Sequence, residues 1–397
     1  MAVRLRQVPQ DATPVCAPTE RIEAFLEANN LETPFVVVDL DIVVDRYRQL
    51  AEALPMAEIF YAIKANPAPA ILELLVSLGS SFDVASPAEV DMCLAAGADP
   101  SRISYGNTVK KRRDITYAYE RGVRLFAFDC DAELDKLIEL APNATLFCRV
   151  ATDGTGADWP LSRKFGCSPE RATALLVRAA EKGHQVGLSF HVGSQQRDPV
   201  AWEAALASVG HVFEQLRDQG ISPALVNLGG GFPGHYSNAV PAMREYGRVI
   251  NAALARYVGD DVPRVLAEPG RYLVADAGVL QTEVVLVSRR SLDDDLRWVY
   301  LDCGVYTGLT EALGESIRFR IRTPHDGGPT GRVCLAGPTC DSADILYEHA
   351  DYQLPLALEA GDRIEVLSTG AYTTTYSTVG FNGFPALRDY YLPAQNL

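Results

Sequence analysis

A chain of 397 residues, 48% of them hydrophobic, is long enough to bury a large core and to form two or three domains. Its 36 basic and 51 acidic residues leave a net charge of −15, interrupted only by the short run Lys110-Lys111-Arg112-Arg113, which reads as a solvated helix start; nucleic acid and anionic membranes are excluded as partners. The eight cysteines, at 16, 93, 130, 148, 167, 303, 334 and 340, show no CxxC or Cys/His ligand spacing, which excludes a metal site and a disulfide framework and leaves most of them as reduced, buried hydrophobes, Cys340 excepted.

The first residues, Met1 to Arg6, have no continuous apolar stretch behind them, so no secretory signal is expected. No apolar run approaches the roughly eighteen residues that span a bilayer, and a cytoplasmic protein follows. A polar helix is predicted over Pro18 to Asn29, and Pro34 opens a strand, Phe35 to Asp39. An amphipathic helix with Val43, Val44, Tyr47, Leu50 and Leu54 on one face comes next.

From there a rhythm sets in. Short apolar runs recur at Ile59 to Ile63, Phe82 to Ala85, Ile103 to Tyr105, Leu125 to Phe128, Leu146 to Val150, Gly187 to Val192, Leu225 to Leu228 and Val265 to Ala267. Between them lie stretches with helical periodicity, such as Ala68 to Leu78, Pro87 to Ala96 and Ala132 to Leu140. Eight strands alternating with helices imply a parallel sheet, sized for a closed (β/α)₈ barrel over residues 37–275, with a doubly wound open sheet as the runner-up. The longer connections after the fifth strand predict insertions at the catalytic face. After Asp276 the pattern turns to β-like runs, Val279 to Ser288, Trp298 to Leu301, Arg332 to Ala336 and Arg363 to Val366, separated by Gly, Pro and Asp. Residues 276–397, joined by 1–36, are expected to form a second, antiparallel β domain of sandwich or barrel type.

In a barrel, chemistry gathers at the C-terminal ends of the strands. Those ends carry Lys64, Asp83 with Ser86, Arg149, His191 with Ser194, Gly229-Gly230-Gly231, and Glu268-Pro269-Gly270-Arg271. Lys64 closes the run Ile59 to Ile63 and is expected to be buried, a costly place for an ammonium unless it is paired, neutral or converted to an imine. Each residue also has an ordinary explanation: a snorkelling lysine, a core histidine, a salt-bridged arginine, a tight glycine turn. Together they supply an imine-forming amine, a phosphate cradle with an arginine fork, and an acid for a ring nitrogen, which is what pyridoxal phosphate requires.

The chain resembles the fold-type III pyridoxal-phosphate decarboxylases, the ornithine/lysine/arginine/diaminopimelate group with an alanine racemase-like barrel, and within it the bacterial ornithine decarboxylase branch. The resemblance rests on Tyr61-Ala62-Ile63-Lys64-Ala65-Asn66-Pro67, Phe82-Asp83-Val84-Ala85-Ser86, His191-Val192-Gly193-Ser194-Gln195, Gly229 to Pro233, Glu268 to Arg271, Gly337-Pro338-Thr339-Cys340-Asp341-Ser342-Ala343-Asp344, Gly370 to Thr373 and Phe381-Asn382-Gly383-Phe384, in family order from about residue 33 to the end.

The resemblance implies a role for each position. Lys64 would form the Schiff base, His191 stack on the cofactor and Glu268 pair with the pyridine nitrogen. Ser194, Gly230, Gly231, Gly270, Arg271 and Tyr372 would hold the phosphate, with Asp83 and Arg149 lining the site. Cys340 and Asp341 would enter a neighbouring subunit's site, the thiol reprotonating the α carbon after a quinonoid stage and the aspartate taking the distal amine. Phe381 would line the substrate, and the enzyme would be a homodimer.

Ornithine is the expected substrate and putrescine the product, because Glu315, where many relatives have aspartate, is expected to shorten the pocket while Gly314 opens space. The alternatives are lysine, diaminobutyrate, an ornithine derivative of specialised metabolism, diaminopimelate, which would need a cationic grip in place of Asp341 and Glu315, and a catalytically dead regulator.

Overall fold

The computed structural model describes residues 18–161, 163–259, 264–395 and 397; Cys16 and the rest of 1–17 lie outside it. Among the described residues two compact units are present, one of Asp45–Pro233 and Val240–Tyr272, the other of 18–44, Gly234–Ala239 and Leu273–Leu397.

The first unit is a closed barrel of eight strands: β1 (Ala57–Ala62), β2 (Ser81–Val84), β3 (Ile103–Tyr105), β4 (Leu125–Phe128), β5 (Thr145–Arg149), β6 (Val186–Ser189), β7 (Leu225–Asn227) and β8 (Val265–Ala267). Every neighbouring pair is parallel, and the barrel closes where β8 meets β1, Val265 opposite Ala57. Strands covered on both faces explain runs that are apolar throughout rather than alternating, and Phe60, Leu125, Ala127, Phe147, Leu225 and Leu266 fill the interior.

The helices begin where the chain supplies caps. Ser86 accepts from Glu89 N–H ahead of Pro87–Ala95, and Ser168 accepts from Arg171 N–H ahead of Pro169–Glu181, each with proline in the first turn. Helix Val200–Asp218 buries Trp202, Leu206, Val209, Phe213 and Leu216 on one face. The long connections after β5 and β6 pair as a ribbon, Ala157–Trp159 antiparallel to Ser194–Gln196.

The basic run does not behave as one exposed patch. Helix Arg112–Glu120 does start there, with Lys111, Arg112 and Arg113 exposed, but Lys110 is buried. Its ammonium donates to Asn107 O (2.8 Å) and Ala127 O (2.6 Å) and pairs with Glu133 at 3.0 Å, and burial pushes its pKa down to about 8. A buried carboxylate 23 residues away, on helix Asp131–Leu140, accounts for the difference.

The second unit is built on a nine-stranded, mostly antiparallel sheet. Gly278–Ser288 is its longest strand and pairs antiparallel with Phe35–Asp39, Arg297–Leu301 and Arg363–Leu367. Two pairs are parallel: Phe35–Asp39 with Arg388–Leu392, and Arg297–Leu301 with Thr330–Ala336. The boundary expected between residues 36 and 37 falls inside a strand that belongs wholly to this sheet. Phe35 and Val37 pack with Ile22, Val279 and Leu367, which holds the strand there. Among the described residues no helix is long and apolar enough to cross a membrane.

Candidate active site

Ten of the sequence-derived site residues lie in the barrel unit, all just beyond or at the C-terminal ends of strands. Lys64 does not continue β1. The strand ends at Ala62, and Lys64 sits in the single 3₁₀ turn Ile63–Ala65, exposed between buried neighbours. The burial expected for it is therefore absent, because the turn directs the chain out of the sheet before the lysine is reached. The turn is fixed by Ala62 N–H donating to Pro269 O (2.9 Å), which ties the lysine to the segment that carries Glu268.

Glu268 follows β8, and its backbone N–H donates to Gly229 O (2.8 Å). Its carboxylate accepts from Asn227 Nδ2 at 2.5 Å, while Asn227 Oδ1 accepts from Gly229 N–H at 2.9 Å. Asn227, fully buried at the end of β7, is a site residue the motif reading passed over. Its signal was present: an asparagine two positions before a glycine at a strand end is a common Asx-turn arrangement. Burial raises the Glu268 carboxyl above the usual range, against the Asn227 hydrogen bond and the charges of Lys64 and Arg149. Asp83, buried at 8% exposure in β2, is held well above the carboxylate range by burial and by the charge of Glu268; its Oδ1 has no hydrogen-bond partner among the described residues.

His191 stands two residues past β6. Burial, then the Arg149 and Lys64 charges, push its imidazole well below its ordinary pKa, so it is neutral at physiological pH. Nδ1 accepts from Gly193 N–H (3.0 Å), which leaves the proton on Nε2. Arg149, the last residue of β5, lies 5.3 Å from the Phe165 ring centre.

The glycine triplet has little room. A Cβ on Gly230 would stand 2.6 Å from Glu268 O and 3.2 Å from His191 Nε2; on Gly231, whose φ is +103°, it would stand 2.4 Å from Gly193 O. Gly270 precedes the short helix Arg271–Val274, and Arg271, 4% exposed, donates to Ser194 Oγ (3.1 Å). Ser86 turns away from this cluster to cap its own helix. One amine, two carboxyls raised above their ordinary range, a neutral imidazole, two arginines and a backbone cradle thus share one barrel end. That set can anchor an anion, hold a flat ring and keep a proton beside a ring nitrogen.

The remaining candidates lie in the second unit. Cys340 is exposed, and its N–H and Sγ–H both donate to Asn382 Oδ1, at 3.1 and 3.5 Å. Asp341 accepts from Tyr306 O–H (3.1 Å), whose ring lies 4.9 Å from that of Phe381, and this bond raises the Tyr306 hydroxyl. Asp344, 2% exposed, shapes the loop by accepting from Val305 N–H (2.9 Å) and Thr339 Oγ1–H (2.7 Å). Tyr372 is half-buried with φ +61°.

Glu315 is placed differently from its expected substrate-facing role. Its Oε1 accepts from His349 N–H (2.6 Å) and Ala350 N–H (3.0 Å), and its Oε2 from Arg318 (3.4 Å). Gly314 takes φ +63° and turns the chain in front of it, so the carboxylate serves the loop 348–350. The cluster that forms is Tyr306, Cys340, Asp341, Phe381 and Asn382.

Residues 40–275 match the family described as pyridoxal-dependent decarboxylase, pyridoxal binding domain. The chain is 36% identical over 362 residues to a lysine/ornithine decarboxylase of Selenomonas ruminantium, covering 90% of this chain and 89% of that one. It is 34% identical to the ornithine decarboxylase of Rattus norvegicus, covering 91% and 81%. A crystal structure of the lysine/ornithine decarboxylase of Vibrio vulnificus complexed with cadaverine superimposes with a TM-score of 0.84 at 32% identity, covering 95% of this chain and all of that one.

Proposed function

The chain belongs to the pyridoxal-dependent decarboxylases, and from that membership we propose that it converts L-ornithine to putrescine and CO₂ in polyamine formation, as a cytoplasmic homodimer. Pyridoxal-phosphate-dependent decarboxylation of basic amino acids is the family activity; ornithine, the dimer and the residue roles are the finer reading. The observation that carries it is the barrel end where the charges of Lys64 and Arg149 act on both Glu268 and the neutral His191.

The residues fit the cofactor. The glycine cradle is closed to any Cβ, Arg271 stands beside Ser194, and Asp83 Oδ1 is buried without a partner, as expected of a site built around a further polar group. When bound, pyridoxal phosphate supplies an aldehyde that captures amines and a ring that withdraws electrons from the scissile bond. Lys64, exposed on its turn, is the amine that would hold the cofactor covalently. Glu268, steadied by Asn227, would stand as the acid partner of the ring nitrogen. His191, uncharged, offers a flat face. Ser194, Gly230, Gly231, Gly270 and Arg271 would hold the phosphate, and Asp83 and Arg149 would complete the wall.

Cys340 holds the proton delivered to the α carbon, and its bond to Asn382 orients that proton. In the dimer, one protomer's Cys340, Asp341 and Phe381 serve its partner's barrel. Asp341, beside the Tyr306 hydroxyl, takes the distal ammonium. With Glu315 bonded to His349 and Ala350, its length no longer argues for a short pocket. Support for ornithine now comes from the relatives named for it, two of which are named for lysine as well.

The test has two parts. Purified protein given pyridoxal phosphate should gain the visible absorbance of lysine-bound cofactor, and Lys64→Ala should not. CO₂ release should then be fastest from ornithine in a panel with lysine, diaminobutyrate, arginine and diaminopimelate. Faster release from lysine would overturn the ornithine assignment, and absence of both band and CO₂ would overturn the enzyme.

A further inference from the structure

Two thiols outside the proposed chemistry meet in the barrel unit, next to Arg149. Cys148 is the penultimate residue of β5 and is fully buried; Cys167, half-buried, ends the first stretch of the connection leaving that strand. Cys167 N–H donates to Arg149 O (3.0 Å) and Ala151 N–H donates to Cys167 O (2.9 Å), so the returning chain is fixed alongside the strand end. The two sulfurs stand 3.6 Å apart, in contact but unbonded.

We propose that Cys148 and Cys167 form a peroxide-reactive dithiol, with Cys167 the attacking sulfur and Cys148 the resolving one. The substrate class is a hydroperoxide. Only Cys167 reaches solvent, which decides the order of events. The hydrogen bond from Cys148 lowers the Cys167 thiol below its ordinary range despite burial, whereas burial holds Cys148 well above it. The thiolate is the reactive form, so the reachable sulfur is also the ionisable one.

The steps balance. The Cys167 thiolate attacks the terminal oxygen of the hydroperoxide; an S–O bond forms, the O–O bond breaks, and the alcohol, or water from hydrogen peroxide, leaves after taking a proton. The Cys148 thiol then gives up its proton and attacks the sulfenic sulfur; the S–S bond forms, the S–O bond breaks, and water departs. Two thiols lose two electrons to one O–O bond. The sulfurs must close from 3.6 Å to about 2.05 Å, a shift of roughly 1.5 Å.

Other groups facing the pair do not take over either role. Asp129 Oδ2 is engaged by Thr108 Oγ1–H (2.8 Å) and Gly166 N–H (2.9 Å), and its charge opposes ionisation of both thiols. Cys130, exposed, is the third nearby sulfur and the natural competitor. The bond would pin the connection that carries Phe165, the ring beside the Arg149 guanidinium, to the strand that carries Arg149.

The experiment uses full-length protein loaded with pyridoxal phosphate. It is treated with one equivalent of hydrogen peroxide, alkylated, and mapped by mass spectrometry without reduction. A Cys148–Cys167 linked peptide, reversed by dithiothreitol and formed on the order of tenfold faster than Cys130 is oxidised, is the expected result. Cys167→Ala should leave Cys148 alkylatable, and Cys148→Ala should leave Cys167 as a sulfenic acid trapped by dimedone. The proposal is overturned if both cysteines stay alkylatable while Cys130 or Cys340 oxidises, or if Cys167 links to Cys130. The wild-type map alone decides this should either variant misfold.

Discussion

Replacing Asn227 tests the electrostatic core of the site without touching any residue that would meet substrate. Its amide joins β7 to the segment after β8: Nδ2 donates to Glu268 Oε1 at 2.5 Å and Oδ1 accepts from Gly229 N–H at 2.9 Å, the second fully out of water. A hydrogen bond to a charged group contributes about 1.5–3 kcal/mol and a buried N–H left alone costs about 1–3 kcal/mol, so Asn227→Ala should lose roughly 2.5–6 kcal/mol in urea unfolding of the cofactor-free protein. Asn227→Asp keeps the acceptor for Gly229 but sets a second carboxylate against Glu268. Because burial already raises Glu268, the folded chain binds more protons than the unfolded one above the ordinary carboxylate pKa, and stability falls as pH rises through that window. The added acid steepens the fall. The gap between wild type and Asn227→Asp should therefore widen as pH rises above the ordinary carboxylate range, while that of Asn227→Ala changes less. A pH-independent gap for Asn227→Asp, or an unshifted midpoint for Asn227→Ala, would refute this account of Glu268.

Gly231→Ala combines a φ of +103° with a Cβ 2.4 Å from the Gly193 carbonyl; the backbone conformation alone costs about 1–3 kcal/mol, and dialysed protein should retain less cofactor absorbance than wild type. Lys110 carries a signed pH dependence. With its folded pKa near 8 and an unfolded value near 10.4, the unfolded chain binds more protons between them, so stability should rise with pH across that interval in wild type and not in Lys110→Met. Glu133→Gln leaves that ammonium buried with its charge uncompensated and should cost about 3–5 kcal/mol below that interval, read by urea midpoint.

Much of the barrel was legible because its signals are local. All eight apolar runs became strands, since a parallel strand covered on both faces must be apolar throughout, and helices recur between them at their own period. Strand ends then fixed which residues face the rim, so Asp83, Arg149, His191, Gly230, Glu268 and Arg271 could be gathered from order alone. Phe35–Asp39 shows the limit. It reads like one more strand of the series, yet it pairs with Gly278–Ser288, some 240 positions on, and nothing in four apolar residues and an aspartate specifies which sheet receives them.

Local patterning along the chain is enough for the barrel, the residues at its mouth and the chemistry those residue types can perform. Tertiary structure decided the state of each polar group. Lys64, expected buried, is exposed on a 3₁₀ turn; Lys110, expected in water, is buried against Glu133; Glu315, expected to grip substrate, is bonded to His349 and Ala350; and Asn227, unremarked, steadies Glu268 from 41 positions away. The physical reason is common to all four. Hydrophobic periodicity is a property of neighbours along the chain, whereas the cost of a charge depends on the dielectric and the partner it meets in space, and those are supplied by residues distant in sequence.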